Sequence, residues 1–110
     1  MGVERRKCRR LPVTLDVVLN HRAQTVVGTM RDISLEGAYL DLEPELLPYA
    51  GVVELAFSLP SETACNPIRL SAMIERTTNT GAAVRFGDIG RDAYFQLVDW
   101  VSHPPAAPAR

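Results

Sequence analysis

The sequence predicts an all-β fold, a six-stranded antiparallel β-barrel with a single α-helix at its C-terminal end. Three observations predict it. Apolar residues alternate at period two in six separate segments, short turn-forming stretches join those segments, and only the last part of the chain switches to helical spacing. Closure follows from the edges: a flat six-stranded sheet would leave two rows of unpaired backbone groups, which a barrel removes.

The elements follow in order. Val13, Leu15, Val17 and Leu19 share one face of a first strand, with Thr14 and Asp16 on the other. Asn20-His21-Arg22 is a turn, and Thr25 to Ile33 reads as a second strand containing Gly28. Ala38, Leu40 and Leu42 alternate with Tyr39 and Asp41 in a third. Residues 43–51, "EPELLPYAG", hold two prolines and a glycine and read as a loop with one helical turn. Val53, Leu55, Phe57 and Leu59 define a fourth strand that Pro60 ends. Ile68, Leu70, Ala72 and Ile74 form the inward face of a fifth, "TTNTG" at 77–81 is a hairpin turn, and Ala82, Val84 and Phe86 make the sixth. From Arg91 to Val101 the period changes, and Ala93, Tyr94, Leu97, Val98 and Val101 form one helical stripe that His103-Pro104-Pro105 stops. One domain is therefore expected over 1–103. It comprises an arginine-rich flexible arm at 1–11, a barrel at 13–88 and a helix at 90–102, with a disordered tail at 104–110.

Composition narrows the function classes. With 46% apolar and 23% charged residues, the chain has the makeup of an ordinary globular domain. No apolar run reaches the roughly 20 residues of a membrane span, and a start bearing "ERRKCRR" lacks the apolar core of a signal peptide, so a cytoplasmic location is expected. Cys8 and Cys65 form no CxxC pair and read as free thiols, while His21 and His103 have no partner at metal-ligand spacing. No metal and no cofactor are expected. Nor is catalysis, because no nucleophile–base pair or phosphate-cradling glycine loop is present.

The net charge of −1 hides an asymmetry. Residues 1–10 carry +4 and the remaining hundred carry −5, and eleven of the twelve basic residues are Arg. Concentrated positive charge suits a compact anion better than a long polymer. The guanidinium fork also grips phosphate or a guanine edge at two points. Further along, Asp32, Ser34 and Gly37 lie in the connection between the second and third strands. If the backbone stays extended, Asp32 and Ser34 project to the same side, where a carboxylate can accept from guanine's pairing edge and a hydroxyl can donate or accept. Gly37 would permit a positive-φ turn or let a flat ring approach the backbone. The alternative is that Asp and Ser simply cap the turn through their own backbone.

Taken together, Arg6-Lys7-Cys8-Arg9-Arg10 before the first strand and Asp32-Ile33-Ser34-Leu35-Glu36-Gly37 after the second resemble the two signatures of the PilZ domain, RxxxR and [D/N]xSxxG. "GAAVRFGDIG" at 81–90 is similar to that family's last strand and its lead into the terminal helix. The resemblance implies a bacterial receptor module for the second messenger cyclic di-GMP, built as a six-stranded barrel with a C-terminal helix. It implies that Arg6 and Arg10 hold phosphate and guanine, that Asp32 and Ser34 read the opposite edge, and that Gly37 allows close approach. Arg5, directly before RxxxR, implies two stacked ligand molecules per protomer, with Arg9 as a further candidate contact. The expected mechanism is ordering of the arm over the ligand, which signals to an effector protein in motility, biofilm or polysaccharide control. Arg76, at the end of the fifth strand, is a weaker candidate for the site.

Two other readings keep a binding function. A PilZ-like protein-interaction module that binds no nucleotide would share the fold. A barrel that binds RNA or single-stranded DNA would need aromatic stacking platforms, yet only 6% of the chain is aromatic and Phe57 and Phe86 fall on inward faces.

Overall fold

The computed structural model describes residues 10–47, 51–60 and 65–103. Six strands form: β1 (Leu11–His21), β2 (Gln24–Ile33), β3 (Gly37–Asp41), β4 (Val52–Pro60), β5 (Cys65–Thr77) and β6 (Gly81–Phe86). One helix, α1 (Arg91–Ser102), follows, and a single 3-10 turn at Pro44–Leu46 fills part of the loop after β3. Every pairing is antiparallel, and the strands close in the order β1-β2-β3-β6-β5-β4. The barrel is thus not a simple meander. The loop after β3 carries the chain across to β4, which pairs with β5 on one side and closes on β1 through Val17↔Phe57 to Asn20↔Glu54 on the other.

Alternation explains the interior. Val17, Leu19, Leu40 and Leu55 are fully buried, and Val53, Leu59, Ile68, Leu70, Ala72, Ile74, Val84 and Phe86 fill the rest from the faces their spacing assigns. β1 starts two residues before the alternation at Val13, because Leu11 pairs with Ile33 and is itself buried. Two residues, Arg22 and Ala23, connect β1 to β2, and Arg22 takes the left-handed φ of 58° that so tight a hairpin demands.

The helical stripe needs one correction. Tyr94, placed on the buried face by its spacing, is 43% exposed, whereas Leu97 and Trp100 are buried. At 3.6 residues per turn, Ala93, Leu97, Trp100 and Val101 share a face, and Tyr94 falls on its flank. The indole also finds a partner there, since Trp100 Nε1 donates to the Pro60 carbonyl at 2.8 Å. That bond ties α1 to the end of β4.

Three register irregularities shape the rim near the motifs, the first in β1, where the register passes from Pro12↔Asp32 to Leu15↔Met30. In β2 the register passes from Met30↔Leu40 to Asp32↔Tyr39, so Arg31 is an extra, unpaired residue. Met30 and Ile33 are consequently both buried although three positions apart, and Asp32 turns to the rim. In β5 the register passes from Ile74↔Val84 to Arg76↔Ala83, which leaves Glu75 as the extra residue.

Candidate functional site

The site begins where the arm meets the barrel. Pairing of Leu11 with Ile33 and Pro12 with Asp32 brings the residue before β1 alongside the end of β2. There Arg10 donates from its terminal guanidinium nitrogen to Asp32 Oδ1 at 2.6 Å, and the Tyr39 backbone N–H donates to the same oxygen at 3.2 Å. The two side chains are 27% and 30% exposed, so they form a half-buried pair whose outer edges still reach solvent. Arg10 Nε is buried and has no hydrogen-bond partner among the described residues. Arg10 and Asp32, 22 residues apart in the chain, therefore converge on one point. Arg5, Arg6 and Arg9, together with Cys8 and the tail at 104–110, lie outside the described residues.

Ser34 and Gly37 do different work. The extended path ends at Ile33, and the chain then bends with the Ser34 N–H donating to the Gly37 carbonyl at 2.9 Å. Ser34 Oγ accepts from the backbone N–H groups of Glu36 at 3.0 Å and Gly37 at 3.2 Å, and it donates to the Gly37 carbonyl at 3.3 Å. Only 2% of Ser34 is exposed. For Ser34 the turn-capping alternative is the one adopted, and the hydroxyl does not share Asp32's outward aspect. Gly37 does not use a positive φ. It is demanded by packing, because a Cβ there would sit 2.1 Å from the Val84 carbonyl oxygen of β6. The close approach that Gly37 permits is thus already filled by backbone.

Beside this corner lies a groove of about 510 Å³. Leu35, Gly37, Val84 and Phe86 line it, and Arg10, Glu36, Glu75 and Arg85 bring charge to it. Arg85 pairs directly with Gly37 across the β3–β6 ladder and reaches Glu75 at 3.0 Å. Glu36, Glu75 and Arg85 did not stand out from the sequence, because their place in the groove depends on β6 lying next to β3 and on the bulge at Glu75. Arg76, past that bulge, is exposed and does not line the groove. A second hollow of about 600 Å³ lies on the β1, β4 and β5 side, bordered by Asp16 and Arg69, and none of Arg10, Asp32, Ser34 and Gly37 lines it. Among the described residues no cluster of three or more metal-ligating side chains occurs, and no helix is long and apolar enough to cross a membrane.

Comparison with known proteins places this arrangement. None of the curated proteins matches the sequence. Among solved structures, the fold is similar to the Bacillus subtilis inhibitor of motility MotI/DgrA, with a TM-score of 0.78 and 19% identity over 91% of this chain and 50% of that one. The chain thus spans about half the length of that protein. It is similar also to the PilZ domain of YcgR from Escherichia coli, solved with c-di-GMP, with a TM-score of 0.72 and 15% identity over 90% of each chain. The PilZ domain of CeSA from a cellulose-synthesizing bacterium gives 0.65 and 20%, covering 86% of this chain and 95% of that one. At these identities the likeness concerns the fold. The PilZ domain model matches residues 4–103, from the arm through the barrel to the helix, and the chain belongs to the PilZ domain family, whose domains are receptor modules for cyclic di-GMP rather than enzymes.

Proposed function

We propose that this protein is a cyclic di-GMP receptor whose arm closes over the ligand at the corner where β1 begins and β2 ends. The observation that carries the reading is the meeting of Arg10 and Asp32 at the mouth of a groove. A cyclic dinucleotide presents two phosphates and two guanines, so its receptor must supply fork-shaped cations and a carboxylate within one ligand's reach. Arg6 and Arg10 provide the forks, which suit phosphate and the O6/N7 edge of guanine. Both backbone and guanidinium donors bond Asp32 Oδ1, which leaves Oδ2 to accept from the guanine pairing edge. Ser34 holds the turn that fixes this edge, and Gly37 seats the turn on β6. Arg5 extends the cationic run for a second, stacked ligand molecule, with Arg9 as a further contact.

Binding then becomes a signal through the arm. Five cations between residues 5 and 10 gain little from packing against one another and much from enclosing an anion. Arm, ligand and barrel rim together form the surface that an effector protein reads. A second messenger acts inside the cell, so the cytoplasm is the proposed location. Motility and cellulose synthesis are the processes named for the similar MotI and CeSA structures, and this receptor is proposed to act in control of that kind.

Isothermal titration with cyclic di-GMP tests the reading. Wild type is expected to bind at micromolar ligand or below, with a stoichiometry near two per protomer. Arg6→Ala, Arg10→Ala and Asp32→Ala should each weaken binding by about tenfold or more, as loss of a charge-assisted or bidentate contact does. A folded wild-type sample that gives no heat would instead favour an interaction module that binds no nucleotide.

A further inference from the structure

Among the described residues, Arg85 and Glu75 are the charged groups lining the groove that neither motif accounts for. Resting on the receptor reading above, we propose that Arg85 is an additional phosphate contact and that Glu75 is its built-in competitor, so that ligand anion must displace Glu75 from Arg85. Three observations converge. Arg85 is fixed in the groove wall by its pairing with Gly37, one step from the turn that Ser34 builds. Glu75 is the extra residue of the β5 bulge, so its position is set by an irregularity that re-aims a side chain across the sheet instead of by the regular ladder. The resulting ion pair spans 3.0 Å, yet its side chains are 69% and 45% exposed. An ion pair so open to water is weakly held.

Comparison with the other pair shows which one yields. Arg10 and Asp32 are 27% and 30% exposed, and Asp32 is also held by the Tyr39 N–H. Among the described residues the groove thus contains two arginines, Arg10 and Arg85, each matched to an acid, one match firm and one loose. A dianion entering it meets Arg10 with its acid fixed and Arg85 with an acid that can swing away into solvent. Each phosphodiester carries one negative charge, as a carboxylate does, but it accepts a two-point bond from the guanidinium and arrives on a ligand that Arg10 already holds, so it takes Arg85 from Glu75. Glu75 then acts as a threshold. It lowers affinity for any anion too weak to replace it and sharpens the requirement for phosphate.

Titrations of the full chain with cyclic di-GMP at fixed ionic strength decide the matter. Glu75→Gln is expected to tighten binding by about two- to fivefold, the value of an exposed ion pair. Arg85→Ala should weaken it by about tenfold, the value of a charge-assisted bond. In the Arg85→Ala background, Glu75→Gln should lose most of its effect, because its target is gone. Arg85→Lys, which keeps the charge and lacks the fork, should fall between wild type and Arg85→Ala and serves if the alanine variant unfolds. A merely structural pair predicts that Glu75→Gln leaves affinity unchanged or weaker. That outcome, or an unchanged Kd in a folded Arg85→Ala protein, overturns the competitor, while Asp32→Ala still weakens binding and the receptor stands. No heat from folded wild type overturns both.

Discussion

Asp32 and Ser34 belong to one signature but face opposite physical tasks, and substitution should separate them. Ser34 Oγ satisfies two backbone N–H groups inside a bend that is almost wholly out of water. Removing it by Ser34→Ala leaves both donors short of a partner, which should destabilise the fold by about 1–3 kcal/mol. Asp32 accepts a cation and one backbone N–H at a half-exposed rim, where Asp32→Ala should change stability by only about 1 kcal/mol. Ligand affinity should show the reverse ranking, with Asp32→Ala severe and Ser34→Ala mild once measured under conditions where the variant is folded. Urea unfolding beside isothermal titration gives both numbers. Equal stability losses for the two variants would contradict this division of labour.

At the scale of elements, alternation made the strands visible and hid the places where it breaks. Val17, Leu19, Leu55 and Leu70 occupy the inward positions their spacing assigns, because a half-buried strand enforces period two. The bulge at Arg31 was not legible: an extra residue leaves no compositional trace, yet it lets Met30 and Ile33 both be buried three positions apart and turns Asp32 outward. Strand order was hidden for a similar reason, since pairing of β3 with β6 joins segments distant in the chain and only that pairing puts Arg85 beside Gly37. Gly37 was legible as a required glycine but not for its cause, which is a carbonyl on another strand. On α1, Trp100 shares the buried face and its indole N–H reaches the Pro60 carbonyl, while Tyr94 stays on the exposed flank. Trp100→Phe should therefore lose about 1–2 kcal/mol by removing that bond from a buried ring. Tyr94→Ala, at an exposed position, should stay within about 0.5 kcal/mol of wild type. Thermal unfolding of the two variants checks the assignment, and a larger loss for Tyr94→Ala would reverse it.

At the scale of the whole molecule, charge is divided between an arm of net +4 and a remainder of net −5. Attraction between the two parts is local at Arg10, where Asp32 holds the residue before β1 to the rim. That anchor divides the arm functionally. On the receptor reading proposed above, Arg10 is already in place and would contribute position, while the cations upstream would contribute the response. On that proposal, ordering them would lower affinity by the entropy lost, and in return the arm's path would depend on ligand. The expected boundary is sharp. In heteronuclear NOE and relaxation measurements, backbone amides of residues 4–9 should be mobile without cyclic di-GMP and become as rigid as β1 when it is bound. Arg10 and Leu11 should change little, because pairing with Asp32 and Ile33 holds them in both states. Asp32→Ala should extend the mobile segment into Arg10 even without ligand. Equal rigidity of residues 4–9 in the two states would show that the arm carries no signal, and the receptor would then have to report occupancy through the barrel itself.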